Sequence, residues 1–368
     1  MSLTVLQVLP ALNVGGVERG TLEVAAELAS RGHRSLVISA GGKLVNQLVK
    51  EGSEHFTMPI GKKNPLTLLL IGKLRKFLMN ENVSVIHARS RMPAWIAYLA
   101  WRGMDKKLRP GFVTTVHGPY TVNPYSAVMT YGEQVIAISQ FINNYIKDSY
   151  PSTDSKKIKI IYRGIDQNVF KYGFIPDESW QSRWHTEFPQ LKNKFLVTLP
   201  ARITRWKGHE DFVEIISLLV NKNIPVHGII AGGYEKKQGG FYNQLQNMVQ
   251  NYNLDKNITF TGHRSDLREI MAISDVVVSL AKEPEAFGRT ALEALSLGIP
   301  VVAYDHGGAS EILRKLFAQG LVTKNDIESA AKKIAELFYT KSIPEKNNYF
   351  SLQKMLDDTL NIYNELTT

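Results

Sequence analysis

The sequence predicts an α/β chain made of two doubly wound parallel sheets, and three observations lead there. Short apolar runs alternate with amphipathic stretches of helical length along nearly the whole chain, the pattern of strand–helix–strand units with parallel strands. The alternation comes in two series, separated between Arg163 and Pro189 by an irregular region rich in aromatics, Pro and Gly. A chain of 368 residues is long enough for two separate cores.

Taken in order, the first series offers strands at Thr4–Leu9, Ser35–Ser39, Phe56–Ile60, Val83–His87, Phe112–Val116 and Gln134–Ile138. The first of them runs into a glycine loop, Asn13-Val-Gly15-Gly16-Val-Glu18, and then a helical pattern over Val17–Ala29. Glycine there permits a tight turn and lets a ligand approach backbone amides closely. A short basic strand, KIKIIY, ends at Arg163-Gly-Ile-Asp166. The second series offers Phe195–Leu199, Val226–Ala231, Ile258–Thr261, Asp275–Leu280 and Pro300–Ala303. Phe350 to Leu366 has helical apolar spacing at Leu352, Met355, Leu356, Leu360 and Tyr363. No solenoid repeat or low-complexity segment is present.

Hydrophobic residues make up 44% and charged residues 21%, the balance of a globular protein. The absence of cysteine excludes disulfides, thiolate metal sites and a cysteine nucleophile. The first residues lack a basic segment followed by a long apolar core, so no signal peptide is expected, and no apolar run approaches the ~18 residues of a spanning helix. A cytoplasmic location is expected, peripheral on the inner face of the membrane if lipid is contacted. The net charge of +10 is lopsided: residues 1–168 carry 21 Lys/Arg against 11 Asp/Glu, whereas residues 169–368 carry 23 of each. That asymmetry implies an anionic partner for the first half, a membrane surface or a phosphorylated acceptor. Two stretches there combine apolar and basic residues: Lys62 through Asn80, with LTLLLIG beside Lys73, Arg75 and Lys76, and Met92 through Arg109, with Trp95, Tyr98 and Trp101. No nucleic-acid-binding motif accompanies the charge.

The most informative stretch is Ala281 to Arg314, AKEPEAFGRTALEALSLGIPVVAYDHGGASEILR. A helix starting near Gly288 and stopped by Gly298-Ile-Pro300 leaves the amides of Arg289, Thr290 and Ala291 unpaired, where the helix dipole favours an anion. Glu285 before the helix and Glu293 inside it accept hydrogen bonds from hydroxyls, which makes sugars natural partners. Upstream, Pro200-Ala201-Arg202-Ile-Thr204-Arg205-Trp-Lys207-Gly208 follows a strand and offers a guanidinium fork and an ammonium to phosphate oxygens. Phe112 to His117-Gly118-Pro-Tyr120 is a buried strand ending at the sheet edge where open α/β sheets bind ligands.

These residues resemble the signature of glycosyltransferase family 4, retaining enzymes of the GT-B fold. The likeness rests on Glu285-Ala-Phe287-Gly288 through Leu292-Glu293-Ala294, on Gly298-Ile-Pro300-Val-Val, on Gly307-Gly308-Ala-Ser-Glu311, and on Arg202 with Lys207-Gly208 five residues on. It covers nearly the whole chain and is weakest between Arg163 and Phe195. Arg163 stands where the family usually has Asn, and the loop from Leu313 to Val322 is shorter than usual.

The resemblance implies two Rossmann-like domains facing a cleft: an acceptor-binding domain, residues 1–168 with the terminal helix 346–368 crossing back to it, and a nucleotide-sugar domain, residues 169–345. It implies that Arg202 and Lys207 bind the donor diphosphate, that Glu293 holds ribose hydroxyls, and that Glu285 with Phe287 and Gly288 holds the donor sugar. Arg289 and Thr290 stand at the phosphate-binding helix start, and Arg264 in the turn beside the base. His117 lines the donor-sugar site, and Gly15 and Gly16 sit against donor phosphates or acceptor. Glu18, Arg89, Arg91 and Tyr120 are acceptor candidates, with His87 structural. The catalytic set is thus His117, Arg202, Lys207 and Glu285.

No Asp-x-Asp occurs, so no carboxylate pair for a metal-diphosphate is evident, and no metal or other cofactor is expected. Cationic side chains and a helix start would stabilise the departing diphosphate instead. A lipid-linked or lipopolysaccharide-type glycan is the expected acceptor, and UDP, GDP and ADP donors stay open. A glycosidase would explain two carboxylates but not the Arg/Lys pair or the glycine loops. A nucleotide-sugar epimerase shares the layout, and a non-catalytic membrane partner with a decayed site conflicts with intact motif positions.

Overall fold

The computed structural model describes residues 2–13, 15–235 and 238–367. Two compact units emerge: residues 1–162 with 353–368, and residues 163–352.

The first unit holds a sheet of seven parallel strands, β1 (Thr4–Val8), β2 (Arg34–Ser39), β3 (Glu54–Thr57), β4 (Val85–Ala88), β5 (Gly111–Val116), β6 (Gln134–Ala137) and β7 (Ile158–Ile160), in the order β3-β2-β1-β4-β5-β6-β7. The second holds six parallel strands, β8 (Phe195–Leu199), β9 (Val226–Ala231), β10 (Ile258–Gly262), β11 (Val276–Ser279), β12 (Val301–Tyr304) and β13 (Leu321–Val322), in the order β10-β9-β8-β11-β12-β13. In both, strand order runs outward one way and then reverses, so two neighbouring strands send their following loops to opposite faces of the sheet. Those points are β1/β4 and β8/β11. Central strands such as β4, β5, β9 and β12 are buried along their whole length, as parallel strands covered by helices must be.

Two strand expectations change. β3 runs over Glu54–Thr57 rather than Phe56–Ile60, paired in register from Leu36↔Glu54 to Ser39↔Thr57. Pro59 has no N–H to continue the ladder. β13, only two residues long, carries no periodicity and was not expected; it pairs Ala303↔Leu321 and Tyr304↔Val322.

Residues 163–168 and 346–352, expected with the first domain, group with the second unit instead. Ile165 bridges Ser351 in a short parallel contact, and Asn347 donates to Ser296 Oγ at 2.9 Å, which ties both segments to that core. The terminal helix Leu352–Glu365 packs in the first unit through Met355, Leu356, Leu360, Ile362 and Tyr363. Arg31 pairs with Asp357, and Tyr363 Oη lies 2.6 Å from His87 Nδ1 in the core. No described helix is long and apolar enough to cross a membrane.

Candidate active site

The reversal between β8 and β11 fixes where the second unit can hold a ligand. The loop after β8 carries Arg202 and Lys207, and the loop after β11 carries Glu285. A 3-10 turn, Arg205–Lys207, ends at Gly208, which takes φ 74° and starts the helix His209–Asn221. A Cβ on Gly208 would stand 2.0 Å from the Leu280 carbonyl oxygen, so this approach of the two loops requires glycine. The Lys282 amide donates to the Trp206 carbonyl at 2.7 Å, a second stitch between them.

A third loop braces the second. The helix Gly307–Leu316 begins so close to Glu285–Phe287 that a Cβ on Gly308 would lie 2.4 Å from the Phe287 Cα. The Gly308 amide donates to the Glu285 carbonyl at 2.8 Å. Glu285 is thereby held from below by backbone, and the double glycine is a packing device as well as a turn.

Within this frame Lys207 Nζ forms an ion pair with Glu285 Oε1, both side chains about four-fifths buried. They line a cavity of about 20 Å³ with Thr290, Ala291 and the ends of β8 and β11. That is room for a single water. Gly288 caps the helix Arg289–Leu297 at φ 87°, and Gly298 closes it at φ 90°. Glu293, 8% exposed, accepts from Arg289 Nε at 3.0 Å. Arg202 is three-quarters exposed, within 3.8 Å of Glu235 only loosely held. Among the described residues no group of three or more His, Cys, Asp or Glu side chains is placed to hold a metal ion.

Two donor candidates have other occupations. The Phe287 side chain is buried, its ring 6.1 Å from that of Phe350, so it belongs to the core and positions its neighbours. Arg264 clamps Asp266 through Nε at 2.9 Å and Nη2 at 2.8 Å, reaches Glu187 at 2.9 Å, and lies over the Trp184 ring. Its guanidinium is committed to the helix Glu178–Glu187, which leaves the turn's backbone for a ligand.

A buried network behind the site had no sequence signal. Asp211 accepts from Tyr304 Oη at 2.6 Å and pairs with Lys282 Nζ at 2.7 Å. Tyr304 and Asp211 are 93 residues apart, and Asp211 reads in sequence as an ordinary first-turn acid. The network anchors the loop that leads to Glu285 onto the helix that follows Lys207. Beside it His209 is wholly buried, and burial pushes its imidazole pKa down to about 4.

In the first unit, Gly15 caps the helix Gly16–Ser30 in extended conformation, and the Glu18 carboxylate folds back over it. A Cβ on Gly15 would meet Glu18 Oε2 at 2.4 Å. At the end of β5 the His117 amide donates to Tyr120 Oη at 3.3 Å, and the Arg91 guanidinium stacks 4.8 Å from the Tyr120 ring centre. His117, Tyr120 and Arg91 thus form one cluster. Arg89 does not join it: 2% exposed, it donates to Gln7 Oε1 at 2.6 Å and is a core residue, not an acceptor contact. His87 is likewise internal, between Tyr363 and Thr115 at 2.6 Å each.

Comparison with known proteins agrees with this architecture. The sequence model for Glycosyltransferase Family 4 matches residues 14–169, and that for Glycosyl transferases group 1 matches residues 181–352. A glycosyltransferase of Rickettsia africae ESF-5 is 33% identical, with 99% of this chain and 98% of that one covered at a TM-score of 0.88. Anabaena Alr3699/HepE, solved in complex with UDP, superposes at a TM-score of 0.82 with 20% identity, over 99% of this chain and all of that one. N-acetyl-alpha-D-glucosaminyl L-malate synthase of Bacillus anthracis is 24% identical over 324 residues, 82% of this chain and 79% of the relative. With two parallel-sheet Rossmann-like units and these matches, the chain belongs to the group 1, family 4 glycosyltransferases of the GT-B fold.

Proposed function

We propose that the chain transfers a sugar from a nucleotide diphosphate, UDP in the first instance, to a hydroxyl of an anionic or lipid-linked cell-envelope glycan, with retention of anomeric configuration. The observation that carries the reading is the meeting of Lys207 and Glu285 beside the start of the helix Arg289–Leu297, at the strand reversal of the second sheet.

Each side chain has a task in that reaction. The Lys207 ammonium and the exposed fork of Arg202 take the diphosphate oxygens, helped by amides of Thr290 and its neighbours. Glu293 accepts hydrogen bonds from ribose hydroxyls, and Glu285 from hydroxyls of the transferred sugar. The bond from the anomeric carbon to the diphosphate oxygen breaks with both electrons leaving on the phosphate. The acceptor oxygen bonds to the same face of that carbon, and its proton passes to the departing phosphate oxygen. The catalytic term is charge stabilisation of the leaving group by Lys207 and Arg202, without a metal ion.

UDP is favoured because the Anabaena neighbour was solved with it. An anionic acceptor is favoured by the net charge of +10, all of it in residues 1–168, and by the Bacillus anthracis relative, whose name joins an amino sugar to malate. Incubation with a panel of UDP-, GDP- and ADP-sugars and envelope glycan fractions should release UDP and yield a glycoside whose NMR coupling matches the donor's anomer. An inverted product overturns retention. Interconversion of UDP-sugars without transfer assigns an epimerase instead.

A further inference from the structure

Of the two apolar–basic stretches in the first unit, the structure separates one from the other. Along the helix Arg91–Arg102, Trp95 and Trp101 donate their indole N–H groups to the carbonyls of Tyr125 and Pro110 at 2.8 Å each. Tyr98 lies between Trp101, Phe112 and Tyr131 at centroid distances of 5.1 to 6.1 Å, and Arg109 covers Trp101. That aromatic face is spent on packing.

The 3-10 turn Pro65–Leu69 is the reverse case. Leu66, Leu68 and Leu69 are 70%, 50% and 75% exposed. The turn is nonetheless tied in place by hydrogen bonds: buried Thr67 donates to the Lys62 carbonyl at 2.8 Å, and Asn64 Oδ1 caps its amide at 3.0 Å. The leucines are therefore held outward by a built scaffold. Exposed Lys62 and Lys63 precede them, and exposed Lys73 and Lys76 follow on the helix Leu70–Asn80. No acidic residue lies between Glu54 and Glu81. Arg75, the remaining cation of the stretch, turns inward to the Ala100 carbonyl at 3.2 Å.

We propose that Leu66, Leu68 and Leu69, flanked by Lys62, Lys63, Lys73 and Lys76, form a docking surface for an anionic lipid bilayer. Leucines enter the acyl boundary while the ammonium groups stay at the level of anionic headgroups, an arrangement in which neither element alone binds firmly. A purely ionic partner leaves the exposed leucines without purpose, and a purely apolar one leaves the exposed ammonium groups of Lys62, Lys63, Lys73 and Lys76 without an anion, Lys63 reaching only the Tyr125 ring at 5.6 Å.

Sedimentation of the full chain with vesicles tests this without any sugar donor, so its failure and failure of the transferase reading are distinguishable. The protein should pellet with phosphatidylcholine vesicles containing phosphatidylglycerol and not with phosphatidylcholine alone. Leu66→Ser/Leu69→Ser should weaken that binding roughly tenfold or more at an unchanged melting temperature. Lys73→Gln/Lys76→Gln should weaken it and reduce its salt dependence, whereas Lys106→Gln/Lys107→Gln should leave most of it. Equal pelleting of the leucine variant overturns the proposal, as does equal pelleting on neutral vesicles or none on either. Light scattering that shows the leucine variant dissociating a dimer, with vesicle binding intact, assigns the patch to a second copy instead.

Discussion

Lys207 and Glu285, 78 residues apart in sequence, are joined in an ion pair at the ends of β8 and β11. The Glu285 carboxylate occupies the same ammonium that the proposed mechanism assigns to diphosphate. Donor entry must then exchange one anion for another at Lys207. Glu285→Gln should leave nucleotide affinity unchanged or modestly tighter, because the competing charge is gone, while sugar transfer falls by roughly 100-fold. Calorimetry with UDP beside turnover with the UDP-sugar checks both; a parallel loss of UDP affinity would sink the exchange.

Asp211 should act at a distance. Lys282→Met removes the ion pair but leaves Asp211 bonded to Tyr304, so stability should fall by about 1 kcal/mol or less, since the lysine is a third exposed. The loop toward Glu285 loses its anchor, and KM for the donor should rise more than kcat falls. Asp211→Ala also strands the Tyr304 hydroxyl and should cost about 1–3 kcal/mol in urea unfolding.

Much of this was legible in sequence because buried parallel strands are short apolar runs and glycines mark the loops between them. Phe195–Leu199 and Val226–Ala231 were readable to the residue. β13 was not, since two residues show no period. The positions of Glu285, Lys207 and Glu293 were visible as a motif, but a motif cannot tell a side chain from its backbone. Phe287 and Arg264 belong to it, yet one packs inward and the other clamps Asp266. Arg89 stood among the acceptor candidates because charged side chains are mostly exposed; only the fold shows it inside, bonded to Gln7. The Asp211–Lys282–Tyr304 network joins three separated segments and has no sequence signature.

Gly308→Ala tests the brace under the donor loop. The new methyl would meet the Phe287 Cα at 2.4 Å and the Ala286 carbonyl oxygen at 2.7 Å, both backbone atoms that cannot swing aside. A cost of about 1–3 kcal/mol is expected, with loss of transfer beyond what the drop in folded fraction explains. A melting curve and a turnover assay on the same sample separate the two effects.

Acid should destabilise the second unit through His209. Its folded pKa is about 4 against 6.5 when unfolded, so the unfolded state binds the extra proton between those values. Stability from this group is fully present above pH 6.5 and is lost as pH falls toward 4, by about 3 kcal/mol at most. His227, buried and lowered to about 4 as well, adds in the same direction. Urea midpoints at pH 7.5 and 5.0 should differ clearly in the parent and less in His209→Phe.

The most direct test of the account is isothermal titration of UDP into the parent protein, Lys207→Ala and Glu293→Ala. The account predicts binding by the parent and a loss of about ten- to a hundredfold in each variant, the worth of a charge-assisted hydrogen bond to phosphate or of the carboxylate on the ribose. Folded variants that bind UDP as tightly as the parent would contradict it and move the nucleotide away from the ends of β8 and β11.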